Sequence, residues 1–520
     1  MYATAELGPL LGGVSGGLLY ICYAVSSAFL AKNVLYQLKA RRAVLFGMVC
    51  LLTYVSTFLL ALAIPDIKWI VCIIGSITGG FGAGIMWTAQ GSYYALNGSM
   101  YVTAINNCSD EIEHNYDISG NSIISINDYA NERRKVLNKF AGYFAAIYLC
   151  SESVCKMLIT GLFLILSKSR DDDDDEDNTG KIGSWQVISF FAFTLVAWIS
   201  TGFSFGILNL SALKQEYETE LYSTSLLQNT SSECDTLYTS SGESENCPSS
   251  TGCVIDTAAT AGTSGSSSIL NSFLTDLSAV LSFIKDHESF RYLLPYQFSF
   301  GFSSTYMGFL VYGIILNDNG KEGFIGLLSA LSVLFAGGLA IPVAAYTNRK
   351  KKRIKGSRAA TSMTDMHVVM LAGAVIFVAC AAFPLYLSDE TIASWPVIVP
   401  LVCTYGAGRS IWENSNKALI ANIFSTTDGD DNDNTMDISN SFRMSISSVN
   451  ECADEEKSPQ ESSHERAFAA IYFVSGVGAA IGFFIFKFFS SMTIAALTAG
   501  VGLVALCSNH YFFMHCKSDK

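Results

Sequence analysis

Apolar residues in this sequence are grouped into eleven blocks, and polar segments separate the blocks from one another. An α-helix needs roughly 20 apolar residues to cross the hydrocarbon core of a bilayer, and each block is about that long. The blocks cover residues 8–32, 43–64, 69–94, 140–166, 185–210, 293–316, 324–346, 366–387, 395–424, 468–489 and 492–513. The pattern therefore predicts an all-α polytopic membrane protein with eleven spans.

The composition also places the chain among membrane proteins. Of its 520 residues, 50% are hydrophobic and 15% are charged, whereas a soluble protein carries about 25% charged residues. The sequence contains no HExxH, GxSxG or Walker motif, so we do not expect an enzyme. The 14 cysteines are scattered and several lie inside apolar blocks, which predicts no metal site. We expect no cofactor and no nucleic-acid partner.

Basic residues predict the orientation of the chain in the membrane. They cluster within residues 39–42, 133–135 and 349–355, in three loops that fall on one side if every span crosses once. Short loops rich in Lys and Arg stay in the cytoplasm, so we expect a cytoplasmic C-terminus and an external N-terminus. An integral, multi-pass location follows, in either the plasma membrane or an endomembrane.

The longest polar segment divides the spans into two groups. Residues 1–212 form an N-terminal bundle of five predicted spans, and residues 288–520 form a C-terminal bundle of six. Residues 213–287 are predicted to be a cytoplasmic linker rich in Ser and Thr, with an amphipathic helix near its end. Segments with too few apolar residues to offset chain entropy are expected to be unstructured. These segments are residues 97–138, 223–268 and 425–465.

Two short motifs recur six spans apart and predict an internal repeat. The third span carries Gly82-Ala-Gly followed by Trp87, and the ninth carries Gly406-Ala-Gly followed by Trp412. Membrane transporters are often built from two similar halves. The sixth span then has no partner in the first half. We therefore expect the first helix of a twelve-helix pattern to be absent, through genuine loss or an incomplete gene model.

The two motifs also carry a resemblance to a known family. Residues 82–93, Gly-Ala-Gly-Ile-Met-Trp-Thr-Ala-Gln-Gly-Ser-Tyr, resemble the signature of the Unc-ninety-three-like family, a branch of the major facilitator superfamily. Residues 406–419 resemble the second-half motif of the same family. The resemblance implies the major-facilitator fold, with two pseudo-symmetric helical bundles. The family is associated with regulation of a potassium channel and with chaperoning of innate immune receptors.

Charged side chains inside predicted spans are the first candidates for a functional site. A charge in hydrocarbon is costly unless it is paired or faces water. Glu152 and Lys156 lie four residues apart in the fourth span, so they share a helix face and are expected to pair. The pair either lines a cavity for ion or substrate coupling or only locks the packing of the helices.

Arg409, Glu413 and Lys417 form a stripe along the ninth span, each four residues from the next. We expect the stripe to face the bundle interior and the third span, with Glu413 able to reach both cations. Loss of Glu413 should then be more damaging than loss of Lys417. The full set of cavity, substrate or coupling candidates is Trp87, Gln90, Tyr93, Glu152, Lys156, Arg409, Trp412, Glu413, Asn414 and Lys417.

Two functions from different classes agree with these features. The first is secondary transport of a small solute or ion. The alternative is a non-transporting regulatory or trafficking subunit of an ion channel or membrane receptor. The expected partners are accordingly the lipid bilayer, a small solute or ion, and another membrane protein. Charges inside the spans favour transport, whereas the long polar segments suit docking of a partner.

Overall fold

The computed structural model describes residues 9–114, 126–168, 191, 194–203, 206, 265–347, 360–423 and 463–518, and the regular structure of these residues is entirely helical. Its main helices, labelled α1 to α11 in chain order, are Pro9–Val25, Ala31–Ala63, Lys68–His114, Ile126–Lys168, Thr194–Phe203, Leu294–Thr305, Ile325–Thr347, Ala360–Tyr386, Trp395–Ile423, Ser463–Phe486 and Ser491–Ser518. A further helix, Gly265–Asp286, is called the linker helix, and two segments, Ser26–Leu30 and Tyr306–Ile315, are π-helical.

Nine stretches of the described chain are long and apolar enough to cross a membrane. They are Leu10–Leu35, Gln37–Ala61, Pro65–Tyr94, Lys135–Gly161, Leu294–Asp318, Ile325–Thr347, Met366–Tyr386, Arg466–Phe486 and Ser491–Tyr511. These stretches confirm an all-helical, multi-pass membrane architecture. The helix α9, which carries the charged stripe, is not in this set, and α5 covers only part of the predicted fifth span.

The chain bends sharply near the junction of the first and second spans. The helix α2 begins inside the first span, and its backbone leaves the helical region at Lys39, where φ is 59° and ψ is 156°. A positive φ is unfavourable for an L-residue, and it marks a sharp change of chain direction here. The basic residues predicted to mark the end of the first span therefore lie at this bend.

The segment 97–138 was predicted to be unstructured, and this prediction is wrong for most of its length. Residues 97–114 continue α3, and residues 126–138 form the start of α4. Adding residues to an existing helix is much easier than starting a new one, so long apolar helices extend into polar sequence. The Tyr94 hydroxyl also donates a hydrogen bond to the Leu137 carbonyl and ties the two extensions together.

The described chain divides into two compact units. The first holds residues up to 196 and from 276 onward, and the second holds residues 197–275. The linker helix confirms the helix predicted near residues 270–285, and its Val280 and Phe283 side chains are buried in the first unit. Most of the predicted unstructured segments 223–268 and 425–465 lie outside the described residues.

Contacts between the N-terminal helices and the C-terminal helices come in related pairs. The helix α1 packs against α10, and α4 packs against α7. A shift of six helices converts the first contact into the second, because α1 then corresponds to α7 and α4 to α10. The same exchange relates two smaller contacts, α3 with α10 and α9 with α4. Each of these contacts between the two halves therefore has an equivalent contact formed by the corresponding helices.

Glycines let α3 and α9 approach their neighbours closely. A Cβ atom added at Gly84 would lie 2.5 Å from the Tyr23 carbonyl oxygen on α1. A Cβ atom added at Gly406 would lie 2.2 Å from the Ser332 carbonyl oxygen on α7. Small residues of this kind let membrane helices pack backbone against backbone. The two contacts join helix pairs, α3 with α1 and α9 with α7, that correspond to each other under the shift of six helices.

Candidate functional site

A cavity of about 330 Å³, called the interhelical cavity, lies between the N-terminal and C-terminal helices of the first compact unit. Its described wall comes from α1, α3, α4, α6, α7, α9 and α10, and from the π-helical segment after α6. The lining residues are Leu19, Tyr20, Tyr23, Ala83, Trp87, Tyr148, Glu152, Lys156, Phe300, Gly301, Ser304, Tyr312, Ser329, Ser332, Val333, Tyr405, Arg409, Trp412, Glu413, Tyr472 and Ser475. Aromatic rings dominate this wall, and charged and hydroxyl side chains complete it.

A triad of charged side chains, Lys156, Glu152 and Arg409, joins the two halves at the cavity wall. The Lys156 ammonium lies 2.7 Å from Glu152 Oε1, as the spacing along α4 predicted. The Arg409 guanidinium reaches the same carboxylate from α9, with Nη2 2.8 Å from Oε2 and Nη1 3.3 Å from Oε1. This two-pronged arrangement is the strong form of an arginine–carboxylate bond. One carboxylate therefore holds two cations, one from each half.

The triad faces the cavity instead of being sealed within helix packing. The side chains of Lys156, Glu152 and Arg409 keep 26%, 23% and 17% of their surface accessible. The Lys156 ammonium also donates a hydrogen bond to the Ser329 hydroxyl on α7, at 2.9 Å. The triad thus connects α4, α7 and α9 and still offers polar surface to a solute.

A second ion pair, Glu413 with Lys417, lies deeper in the packing. The Lys417 ammonium is 2.9 Å from Glu413 Oε2, and the two side chains are only 5% and 6% accessible. The same ammonium lies 5.2 Å from the Trp87 ring centre and 4.9 Å from that of Phe144. Both distances are within the range of cation–π attraction. Glu413 lines the cavity, and Lys417 neutralises it from behind.

Aromatic side chains form ordered contacts around the charged groups. The rings of Phe300 and Trp412 stack with their centres 3.7 Å apart and an angle of 8° between planes. Trp87 meets Tyr148 edge to face at 5.4 Å. The Tyr405 hydroxyl donates a hydrogen bond to Ser304 on α6, at 2.9 Å. These contacts hold planar, amphipathic surfaces in fixed positions along the wall.

The structure brings six of the ten predicted candidates to the cavity wall: Trp87, Glu152, Lys156, Arg409, Trp412 and Glu413. The Lys417 ammonium is bonded to Glu413 behind the wall. Asn414 donates hydrogen bonds to the Ala340 and Ser410 carbonyls, so its amide serves the packing of α9 on α7. Gln90 is half-buried and Tyr93 is exposed, and neither lines the cavity.

One expectation about the stripe on α9 is wrong. Glu413 was expected to be able to reach both Arg409 and Lys417, but among the described residues it forms an ion pair only with Lys417. Arg409 turns instead to Glu152 on α4. A carboxylate from another helix that meets the guanidinium with both oxygens is a better partner than one a turn away on the same helix. The stripe does face the interior, as predicted, and its Lys417 ammonium lies against Trp87 of α3.

The sequence reasoning missed Gln297, a fully buried residue of α6. Its Nε2 donates to Asn416 Oδ1 at 2.7 Å, and its Oε1 accepts from Asn416 Nδ2 at 2.8 Å and from Trp412 Nε1 at 2.9 Å. This network fixes the orientation of Trp412 at the cavity wall. A lone glutamine inside an apolar, aromatic block was the available signal, because a polar side chain there needs internal partners.

Comparison with protein-family models and with curated protein sequences found no match. Function must therefore be inferred from the geometry of the interhelical cavity.

Proposed function

We propose that the protein is a secondary transporter of a small solute or ion, with the major-facilitator fold and a relationship to the Unc-ninety-three-like family. The observation that carries the proposal is the interhelical cavity, which lies between two halves and is lined by charged and aromatic side chains. Its volume of about 330 Å³ suits a small molecule.

The paired contacts between the halves support this proposal. Transporters with two repeated halves place their substrate site at the interface of the repeats and work by moving one half against the other. The contacts of α1 with α10 and of α4 with α7 are equivalent under a shift of six helices. Such an interface has two similar sides, and each side is available to open while the other closes.

The position of the triad supports the proposal further. The bond between Glu152 and Arg409 crosses from one half to the other, so separation of the halves at this wall must break it. Charged groups are rare inside membrane helices and usually mark a path for ions or polar substrates. A non-transporting subunit of a channel or receptor does not need charges directed into a cavity.

The test is solute flux in proteoliposomes that contain the purified protein. Inorganic ions, amino acids, organic acids and amines are offered one class at a time, with and without a proton gradient. We expect at least one class to show protein-dependent uptake, and we expect Arg409→Gln to reduce it tenfold or more. Lys487→Gln is the matched control, because Lys487 is exposed beyond the end of α10.

The absence of uptake for every class by folded, monodisperse protein would refute transport. Uptake that Arg409→Gln leaves unchanged would refute the role of the triad in transport. If uptake is absent and a stoichiometric membrane protein co-purifies from native membranes, the regulatory alternative replaces the proposal.

A further inference from the structure

The charges at the interhelical cavity do not cancel. Within the described part of the chain, the charged side chains that line it are Glu152, Lys156, Arg409 and Glu413. Glu413 is neutralised by Lys417, which lies behind it. Glu152 is shared by two cations, Lys156 and Arg409. The triad therefore carries one net positive charge at the cavity wall.

The excess charge still has hydrogen-bond donors to offer. A lysine ammonium has three N–H donors and an arginine guanidinium has five. Lys156 directs its ammonium to Glu152 and Ser329, and Arg409 uses Nη1 and Nη2 on Glu152. The remaining donors, together with the net positive charge, favour a ligand that brings one negative charge and two acceptor oxygens. A carboxylate has both.

The aromatic wall does not favour a cation in the same place. Cations bind over aromatic faces, and the Trp87 ring of the wall already holds the Lys417 ammonium. A second cation would also meet the excess charge of the triad. The ring surfaces of Tyr20, Tyr148 and Trp412 are instead suited to the apolar body of an anion.

We propose that the interhelical cavity binds a small organic monoanion, with its carboxylate on the Arg409 and Lys156 side of the triad and a planar apolar body against the aromatic wall. This assignment rests on the proposed transport function for its site, and it is tested by binding so that the two can fail separately. The cavity volume limits the body to about one ring.

The experiment compares three probes that share one ring and differ in charge: benzoate, benzamide and benzylamine. Binding to the purified protein in nanodiscs is followed by quenching of tryptophan fluorescence. We expect benzoate to bind about tenfold or more tightly than benzamide, because a hydrogen bond to a charged group is stronger than one between neutral groups. Benzylamine should bind more weakly than either of the other probes.

Variants that change the charge in opposite directions separate binding from structural damage. Lys156→Gln leaves a neutral Glu152–Arg409 pair, so it should remove the preference for benzoate over benzamide. Glu152→Gln frees both cations, so it should increase that preference. Lys487→Gln, far along the chain and exposed, should change neither. A loss of preference in both Lys156→Gln and Glu152→Gln would overturn the proposal, since damage to the fold gives the same sign in each.

The probe results also distinguish this proposal from the transport function. Benzoate binding without flux supports the anion site and refutes transport. Flux of an amine or inorganic cation with no preference for benzoate supports transport and overturns the anion site. Equal binding of benzoate and benzamide, or no binding of any probe at millimolar concentration, also overturns the anion site.

Discussion

Replacing Glu413 or Lys417 by an apolar residue of similar size isolates the energy of the buried ion pair. Removing one partner of such a pair leaves an unpaired buried charge, at a cost of about 3–5 kcal/mol. In Glu413→Leu the ammonium keeps the rings of Trp87 and Phe144 as partners, which offsets roughly 1–2 kcal/mol. In Lys417→Met the carboxylate keeps only the longer-range attraction of Arg409, whose guanidinium is already bonded to Glu152.

We therefore expect Glu413→Leu to lower the free energy of unfolding by about 1–4 kcal/mol and Lys417→Met by about 3–5 kcal/mol. This order is the reverse of the one predicted from the sequence, where Glu413 served two cations. The double variant removes both charges, and it should lie within about 2 kcal/mol of the native protein, because well-packed apolar residues often replace a buried pair at little cost.

The measurement is chemical unfolding in detergent micelles, followed by tryptophan fluorescence for both single variants, the double variant and Lys487→Met. The control should stay within about 0.5 kcal/mol of the native protein, as exposed substitutions usually do. Additive losses in the double variant would show that the two charges act independently. Single losses below about 1 kcal/mol would show that the pair is hydrated, and either result refutes the reasoning.

Three further substitutions test other parts of the structure. Gly84→Ala should abolish surface expression, because its Cβ would overlap the backbone of α1, whereas Gly338→Ala, with open space around its Cβ, should express normally. Gln297→Leu should lower the free energy of unfolding by about 2–4 kcal/mol in a chemical unfolding titration, since it leaves the buried amide of Asn416 without these bonds. Arg409→Lys keeps the charge but loses the two-pronged bond to Glu152, so transport should fall while expression stays within twofold of native. Full transport activity of this variant would show that the two-pronged bond is not needed.

Much of the architecture was predictable because membrane helices leave a strong sequence signal. Apolar length located the spans, and spacing of four residues placed Glu152 beside Lys156 and Glu413 beside Lys417. Spacing along one helix describes only local neighbours, however. The partner of Arg409 lies 257 positions away in the chain, and no local pattern indicates it. The relevant information is in the packing of α4 against α9.

Polarity was a weaker guide than apolar length. Residues 97–114 were predicted to be unstructured from their composition, but they are a continuation of α3. Gln297 was overlooked because a single amide hardly changes the hydropathy of an aromatic block. In both cases the neighbouring structure decides the outcome. Residues 97–114 extend a helix that already exists, and the side chains of Asn416 and Trp412 form hydrogen bonds with the Gln297 amide.

The π-helical segment Tyr306–Ile315 sets how the sixth helix is wound where it reaches the cavity wall. A π-helix bonds each residue to the fifth along the chain, where an α-helix uses the fourth, so it holds more residues in each turn. An α-helix has fewer residues in each turn, so rewinding this segment as an α-helix would make it longer. Each residue of shift would also rotate the following side chains by roughly 100° about the helix axis. Tyr312 lies within the segment and lines the cavity. The winding of this short stretch of backbone therefore determines which side chains of the sixth helix face the cavity.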